Sequence, residues 1–166
     1  MYLLSNNYKS LISNFFITLI LIIIQIYFPK IITSEQYLLI TIDFLLIYLV
    51  YLCFYYQIYL IIIFSFFIGL FQDMIVQSLT IGLFSFLNVL FVYFTGFFKD
   101  SNKIWTFKFK CIFLFSLIFL HKFLYHFVFI NQVNYFAILF IFMESFMNLI
   151  LIVLIDKMIL NKLFIR

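Results

Sequence analysis

Long apolar runs separated by short polar breaks dominate the chain, and a helix needs about 20 mainly apolar residues to cross a bilayer. The runs divide into six candidate spans, at about residues 11–28, 37–56, 58–77, 79–98, 107–130 and 135–156. Pro29 and Lys30 close the first run, the stretch from Lys99 to Lys103 closes the fourth, and Asn131 to Asn134 separate the last two. The breaks around Gln57 and Ser78 are weaker. Residues 37–98 still measure about three membrane thicknesses, so three spans with tight turns is the economical division. The pattern predicts an all-α, polytopic integral membrane protein, a single six-helix domain over residues 1–166.

Composition supports lipid as the solvent. Hydrophobic residues make up 68% of the chain and charged residues 10%, against about 45–50% and about 25% in ordinary soluble domains. The mean hydropathy of +1.27 excludes a disordered chain, a main role in nucleic-acid binding and any sizeable soluble catalytic domain. With 28 Phe, 12 Tyr, three Gly and one Pro, the usage resembles that of an AT-rich coding sequence, so small-residue packing signals are sparse. Cys53 and Cys111 have no second Cys nearby and are expected to be small buried apolar residues rather than a redox or zinc pair.

Charge gives an orientation. With six spans and the N-terminus inside, eight of the ten basic residues (Lys9, Lys99, Lys103, Lys108, Lys110, Lys157, Lys162 and Arg166) fall on the inner face. Lys30 falls outside and Lys122 within a span. Both termini are therefore expected on the cytoplasmic side, where the basic face meets anionic lipid head groups. The first run lacks a small-residue cleavage site and exceeds a signal-peptide core in length, so it is expected to remain as a span.

Ionisable groups in lipid cost at least about 2.5–3.5 kcal/mol each on insertion scales, so the few present call for a reason. Asp43 lies in the second candidate span, Gln72, Asp73 and Gln77 in the third, Asn88 in the fourth, His121, Lys122 and His126 in the fifth, and Glu144 and Asn148 in the sixth. At 1.5 Å rise per residue, Asp43, Asp73, Lys122 and Glu144 lie about 6–14 Å from the outer ends of their spans. The expectation is a polar cluster in the outer half of the bundle, with Lys122 neutralising Asp43, Asp73 or Glu144. Ser65, Gly69, Asp73 and Gln77 recur every four residues along one helix face, and Ser65 and Gly69 form a step that admits close helix approach. Lys122 and His126, and Glu144 and Asn148, are also four apart. Interhelical hydrogen bonding explains such stripes most simply; an ion or small-molecule path and a docking seam for another helix are the alternatives. His121 and His126, five apart, share a face poorly, so no metal site is expected.

Enzyme chemistry has little support, since the chain carries no G-x-S-x-G, H-E-x-x-H, Walker A or G-x-G-x-x-G motif. No catalytic residues and no cofactor are expected.

The run from Ser65 to Leu83, SFFIGLFQDMIVQSLTIGL, followed by Asn88 and Tyr93, resembles the MreD family, the rod-shape-determining membrane proteins of bacteria. That family has a G-L-x-x-D run ending its third span and a short turn with a second Gly before the next helix; Gly69, Leu70, Asp73 and Gly82 stand at the corresponding places. The resemblance implies a non-catalytic, multi-pass scaffold in the bacterial inner membrane that binds an MreC-like partner. It would work indirectly with MreB, RodA and a class B penicillin-binding transpeptidase. Ser65, Gly69, Asp73, Gln77 and Gly82 would then support the bundle and its partner surface. MreD also looks distantly like the substrate-binding membrane subunit of energy-coupling-factor vitamin transporters, which is the alternative function. In that case the cluster of Asp43, Lys122, His126, Glu144 and Asn148 would lie at the ligand pocket.

Overall fold

The computed structural model describes residues 2–27, 31–32, 39–40, 42–76, 81–101, 104–130 and 135–160. Six α-helices follow one another among them: α1 (Tyr2–Tyr27), α2 (Phe44–Tyr55), α3 (Ile58–Val76), α4 (Leu83–Ser101), α5 (Phe107–Ile130) and α6 (Tyr135–Ile155). A short antiparallel pair, β1 (Ile31–Ile32) and β2 (Leu39–Ile40), lies in the connection from α1 to α2, with Ile31 opposite Ile40 and Ile32 opposite Leu39. A π-helical turn, Asp156–Leu160, follows α6.

The α1–α2 connection departs most from the sequence expectation. The second candidate span was expected to be helical from residue 37, but Leu39 and Ile40 pair as strand and the helix begins only at Phe44. Asp43 is the reason: its side chain accepts the amide of Leu46 at 3.1 Å and so caps the helix at its first turn. The 12 residues of α2 rise only about 18 Å, short of the roughly 30 Å hydrocarbon layer. The first helix begins at Tyr2 rather than near residue 11, and the fourth begins at Leu83 rather than residue 79, after a turn at Ile81 and Gly82. Gly82 has φ +105°, a left-handed backbone that a side chain would strain.

Among the described residues, three helical stretches are long and apolar enough to cross a membrane: Ile58–Ile75, Phe107–Val128 and Ala137–Met158. Shorter apolar stretches run over Ser13–Gln25, Phe44–Tyr55 and Leu83–Lys99. Phe66, Phe67, Phe86, Phe97, Ile112, Phe127, Leu139 and Met147 point outward from these helices. An apolar outer surface of this extent suits lipid rather than water.

Helix α2 has no polar face, and a helix apolar all round belongs in the interior. It touches α1, α3, α4 and α6 and divides the core in two. On one side Leu46, Val50, Phe91, Phe98, Leu114, Leu117, Ile118 and Ile152 join α2 to α4, α5 and α6. On the other, Ile22, Leu45, Leu49, Leu52, Cys53, Ile61, Ile68 and Val92 join it to α1, α3 and α4. Cys53 is therefore a buried core residue, while Cys111 is only half-buried. Both ends of α2 are tied: Asp43 caps the start, and at the other end Lys99 Nζ of α4 donates to the Tyr56 carbonyl at 2.7 Å.

The tightest helix contact is between α3 and α4. A Cβ at Gly69 would lie 2.3 Å from the Ser85 Cα and 2.5 Å from its nitrogen, so only glycine allows this approach. Gly69→Val should separate the two helices and lower stability by about 1–3 kcal/mol. An equilibrium unfolding titration in mixed detergent measures this, and an unchanged midpoint would refute the contact.

Candidate functional site

The polar residues of the bundle form two joints, both built on a helix N-terminus. The first four amides of a helix lack partners within it, and away from water they must be satisfied by something else. Asp73, three residues before the end of α3, meets this need for α4. Its Oδ1 accepts the Phe84 amide at 2.9 Å, and its Oδ2 accepts the Gly82 amide at 2.9 Å, the Ser85 amide at 3.3 Å and the Ser85 hydroxyl at 3.1 Å. A carboxylate from the neighbouring helix thus performs the work of an N-cap, and its charge opposes the positive end of the α4 dipole. Gly69 and Gly82 make the geometry possible, the first by letting the backbones approach and the second by turning the chain.

The second joint centres on the start of α2. Asp43 Oδ1 caps α2, while Oδ2 accepts from Lys122 Nζ of α5 at 2.9 Å. The Asp43 amide donates to Asn148 Oδ1 of α6 at 2.9 Å, and Asn148 Nδ2 donates to the Glu144 carbonyl at 2.9 Å. Lys122 also meets Glu144 Oε1 at 3.1 Å. His126 Nε2 lies 3.8 Å from Glu144 Oε2, near enough for attraction but long for a hydrogen bond. Asp43, Lys122, Glu144 and Asn148 are buried. The four-residue spacings explain the convergence, because Glu144 and Asn148 share one face of α6 and Lys122 and His126 share one face of α5.

Lys122 thus meets Asp43 and Glu144, and Asp73 stands apart in the α3–α4 joint. The expectation of one cluster holding all three carboxylates is corrected accordingly: depth along the helix axis was similar, but Asp73 faces α4 and not α5. Ser65 is buried and its hydroxyl donates to the Ile62 carbonyl of its own helix at 2.9 Å. Gln77 lies outside the described residues.

A neutral chain of hydrogen bonds lies beside these joints. Asn88 Nδ2 of α4 donates to Gln72 Oε1 of α3 at 3.3 Å, and Asn88 Oδ1 meets His121 Nε2 of α5 at 3.2 Å. His121 and Lys122 are adjacent, about 100° apart around the helix, so α5 faces α4 with one and Asp43 with the other. The sequence singled out these residues without showing that they link. It did not single out Asn14 of α1, which accepts from the Tyr48 hydroxyl at 2.9 Å and donates to the Tyr56 hydroxyl at 2.8 Å. A lone Asn in the apolar run from Ile12 to Ile24 was the available signal. Lys110, expected on the basic inner face, is instead buried, as is Asp156, which the sequence did not single out.

No known protein family matches the chain, no curated protein sequence matches it, and no solved structure matches it. Both oxygens of Asp73 are filled by the start of α4, and both oxygens of Asp43 are filled by α2 and Lys122. Asp73 thus accepts four hydrogen bonds, about the full capacity of a carboxylate, and Asp43 accepts one on each oxygen. Among the described residues no group of three or more His, Cys, Asp or Glu is placed to hold a metal ion. The arrangement joins helices.

Removing one partner of a buried ion pair strands the other charge. Lys122→Met should lower stability by about 3–5 kcal/mol, and adding Asp43→Asn and Glu144→Gln to it should restore a large part of the loss. Unfolding titrations of the single and triple variants test this; a triple variant no more stable than Lys122→Met would refute the triad.

Proposed function

We propose that this chain is an MreD-like, non-catalytic scaffold of the bacterial wall-elongation machinery, crossing the inner membrane six times with both termini in the cytoplasm. The observation that favours this reading is the use made of the residues that carry the resemblance. Gly69, Asp73 and Gly82 meet in the α3–α4 joint, where the glycines set the approach and turn and the carboxylate is consumed by backbone amides. Such a joint stiffens a helix pair and leaves no chemistry for a substrate, which is what a docking platform requires. The exposed apolar faces of α3 and α4, with Phe66, Phe67, Phe86 and Phe97, offer a surface on which a partner's single span can lie. On this reading an MreC-like protein is the direct partner, and MreB, RodA and a class B transpeptidase are reached through it.

Affinity purification from mild detergent should recover an MreC-like partner, and depletion should turn rod-shaped cells round. Normal cell width after gene loss would overturn the scaffold. Tight binding of a vitamin-sized ligand, abolished by Glu144→Gln, would replace it with the energy-coupling-factor transporter subunit.

A further inference from the structure

Two networks of buried polar groups meet on α5 at neighbouring positions. His121 ends the neutral chain that runs from Gln72 of α3 through Asn88 of α4, while Lys122 binds Asp43 of α2 and Glu144 of α6. Gln72, Asn88, His121 and Lys122 are all buried, so each hydrogen-bonding atom among them needs a partner inside the bundle.

One atom of the neutral chain is left unmatched. Asn88 gives its amide N–H to Gln72, so its oxygen faces His121 Nε2, and that nitrogen must carry the ring's hydrogen. His121 Nδ1 is then a bare acceptor, yet it is buried and has no hydrogen-bond partner among the described residues. The carbonyls of α5 cannot satisfy it, because they too only accept. Turning both amides over would put the hydrogen on Nδ1 and leave an unmatched donor instead, which is no less costly away from water. Lys122 has the complementary surplus. Its ammonium carries three N–H bonds, of which Asp43 Oδ2 at 2.9 Å and Glu144 Oε1 at 3.1 Å take two. The same ammonium lies within electrostatic reach of the His121 ring.

The surroundings of the ring leave room only for a small molecule. Phe84, four residues before Asn88 on α4, stacks on Tyr125, four residues after His121 on α5, with ring centres 4.9 Å apart. This pair lies one helical turn from the Asn88–His121 contact, toward the start of α4. On the other side Phe91 stands edge-on to the His121 ring at 5.8 Å.

We infer that His121 Nδ1 and Lys122 Nζ form a binding site for one water molecule, held between them. The water oxygen accepts the third N–H of Lys122, and one water O–H donates to His121 Nδ1; with the ring hydrogen on Nδ1 instead, the oxygen accepts from both. Water suits either arrangement because it donates and accepts, and two polar partners are enough to retain it in a protein interior. The bridge ties the chain across α3, α4 and α5 to the start of α2 and to α6, so the two networks become one. The site is independent of the scaffold reading.

A crystal structure of the full chain grown from a lipid phase, at a resolution that shows ordered water, should place a density peak within hydrogen-bonding distance of both atoms. Proton NMR of the full chain in lipid nanodiscs gives a second readout. The carbon-bound ring protons of His121 should show a cross-peak to water that a soluble gadolinium chelate does not bleach, and His126→Gln separates the two imidazoles. Lys122→Met combined with Asp43→Asn and Glu144→Gln leaves no stranded charge and should lose the cross-peak. A structure with no peak there, or with a peak that touches only one of the two atoms, would overturn the bridge. So would a cross-peak that is missing from the unaltered protein, bleached by the chelate, or unchanged in the triple variant.

Discussion

Asp43 holds three relationships at once, and the rest of the bundle is arranged around them. One carboxylate oxygen starts α2, the other binds Lys122 of α5, and the amide of the same residue is held by Asn148 of α6. In water each need could be met by solvent. Where apolar side chains face outward and lipid replaces water, every one must be met within the protein. A short, largely apolar α2 depends on such ties to fix its position, because side-chain packing against Leu, Ile and Val is tolerant of small shifts and a charge-assisted hydrogen bond is not. Asp43 therefore converts a buried apolar rod into an element with a defined start and orientation.

Asp73 solves the same problem for α4 from the opposite direction in sequence. Asp43 caps its own helix, whereas Asp73 reaches across from α3 to a helix that begins at Leu83. The cross-helix arrangement requires closer backbones, which is why a glycine stands four residues before Asp73 and meets Ser85 directly. The two joints differ in charge. At Asp73 one carboxylate is matched by neutral donors and a helix dipole, while at Asp43 the carboxylate is matched by the ammonium of Lys122.

Helix number and the polar positions were legible in the sequence because both rest on local signals. Apolar runs have a length, and a lysine or carboxylate inside one is conspicuous. Helix boundaries were less legible. Residues 37–42 are as apolar as α2 itself, and only Asp43, read as a cap rather than as an intramembrane charge, marks where the helix begins. Partner choice was not legible at all, since axial depth can be counted from sequence while rotation and helix adjacency cannot. Asp73 and Glu144 looked equivalent as partners of Lys122 for this reason.

By itself the sequence determined an apolar, helical chain with a few ionisable groups set inside its apolar runs, because burial in lipid is a matter of composition and period. It also determined that a glycine and an aspartate four apart would share a helix face. Tertiary structure alone decided that this face meets the start of α4, that α2 is central and short, and that Lys122 lies between Asp43 and Glu144. Those outcomes depend on which helices are neighbours and how each is turned, and such long-range choices are made by packing and by the pairing of buried polar groups, not by any local run of residues.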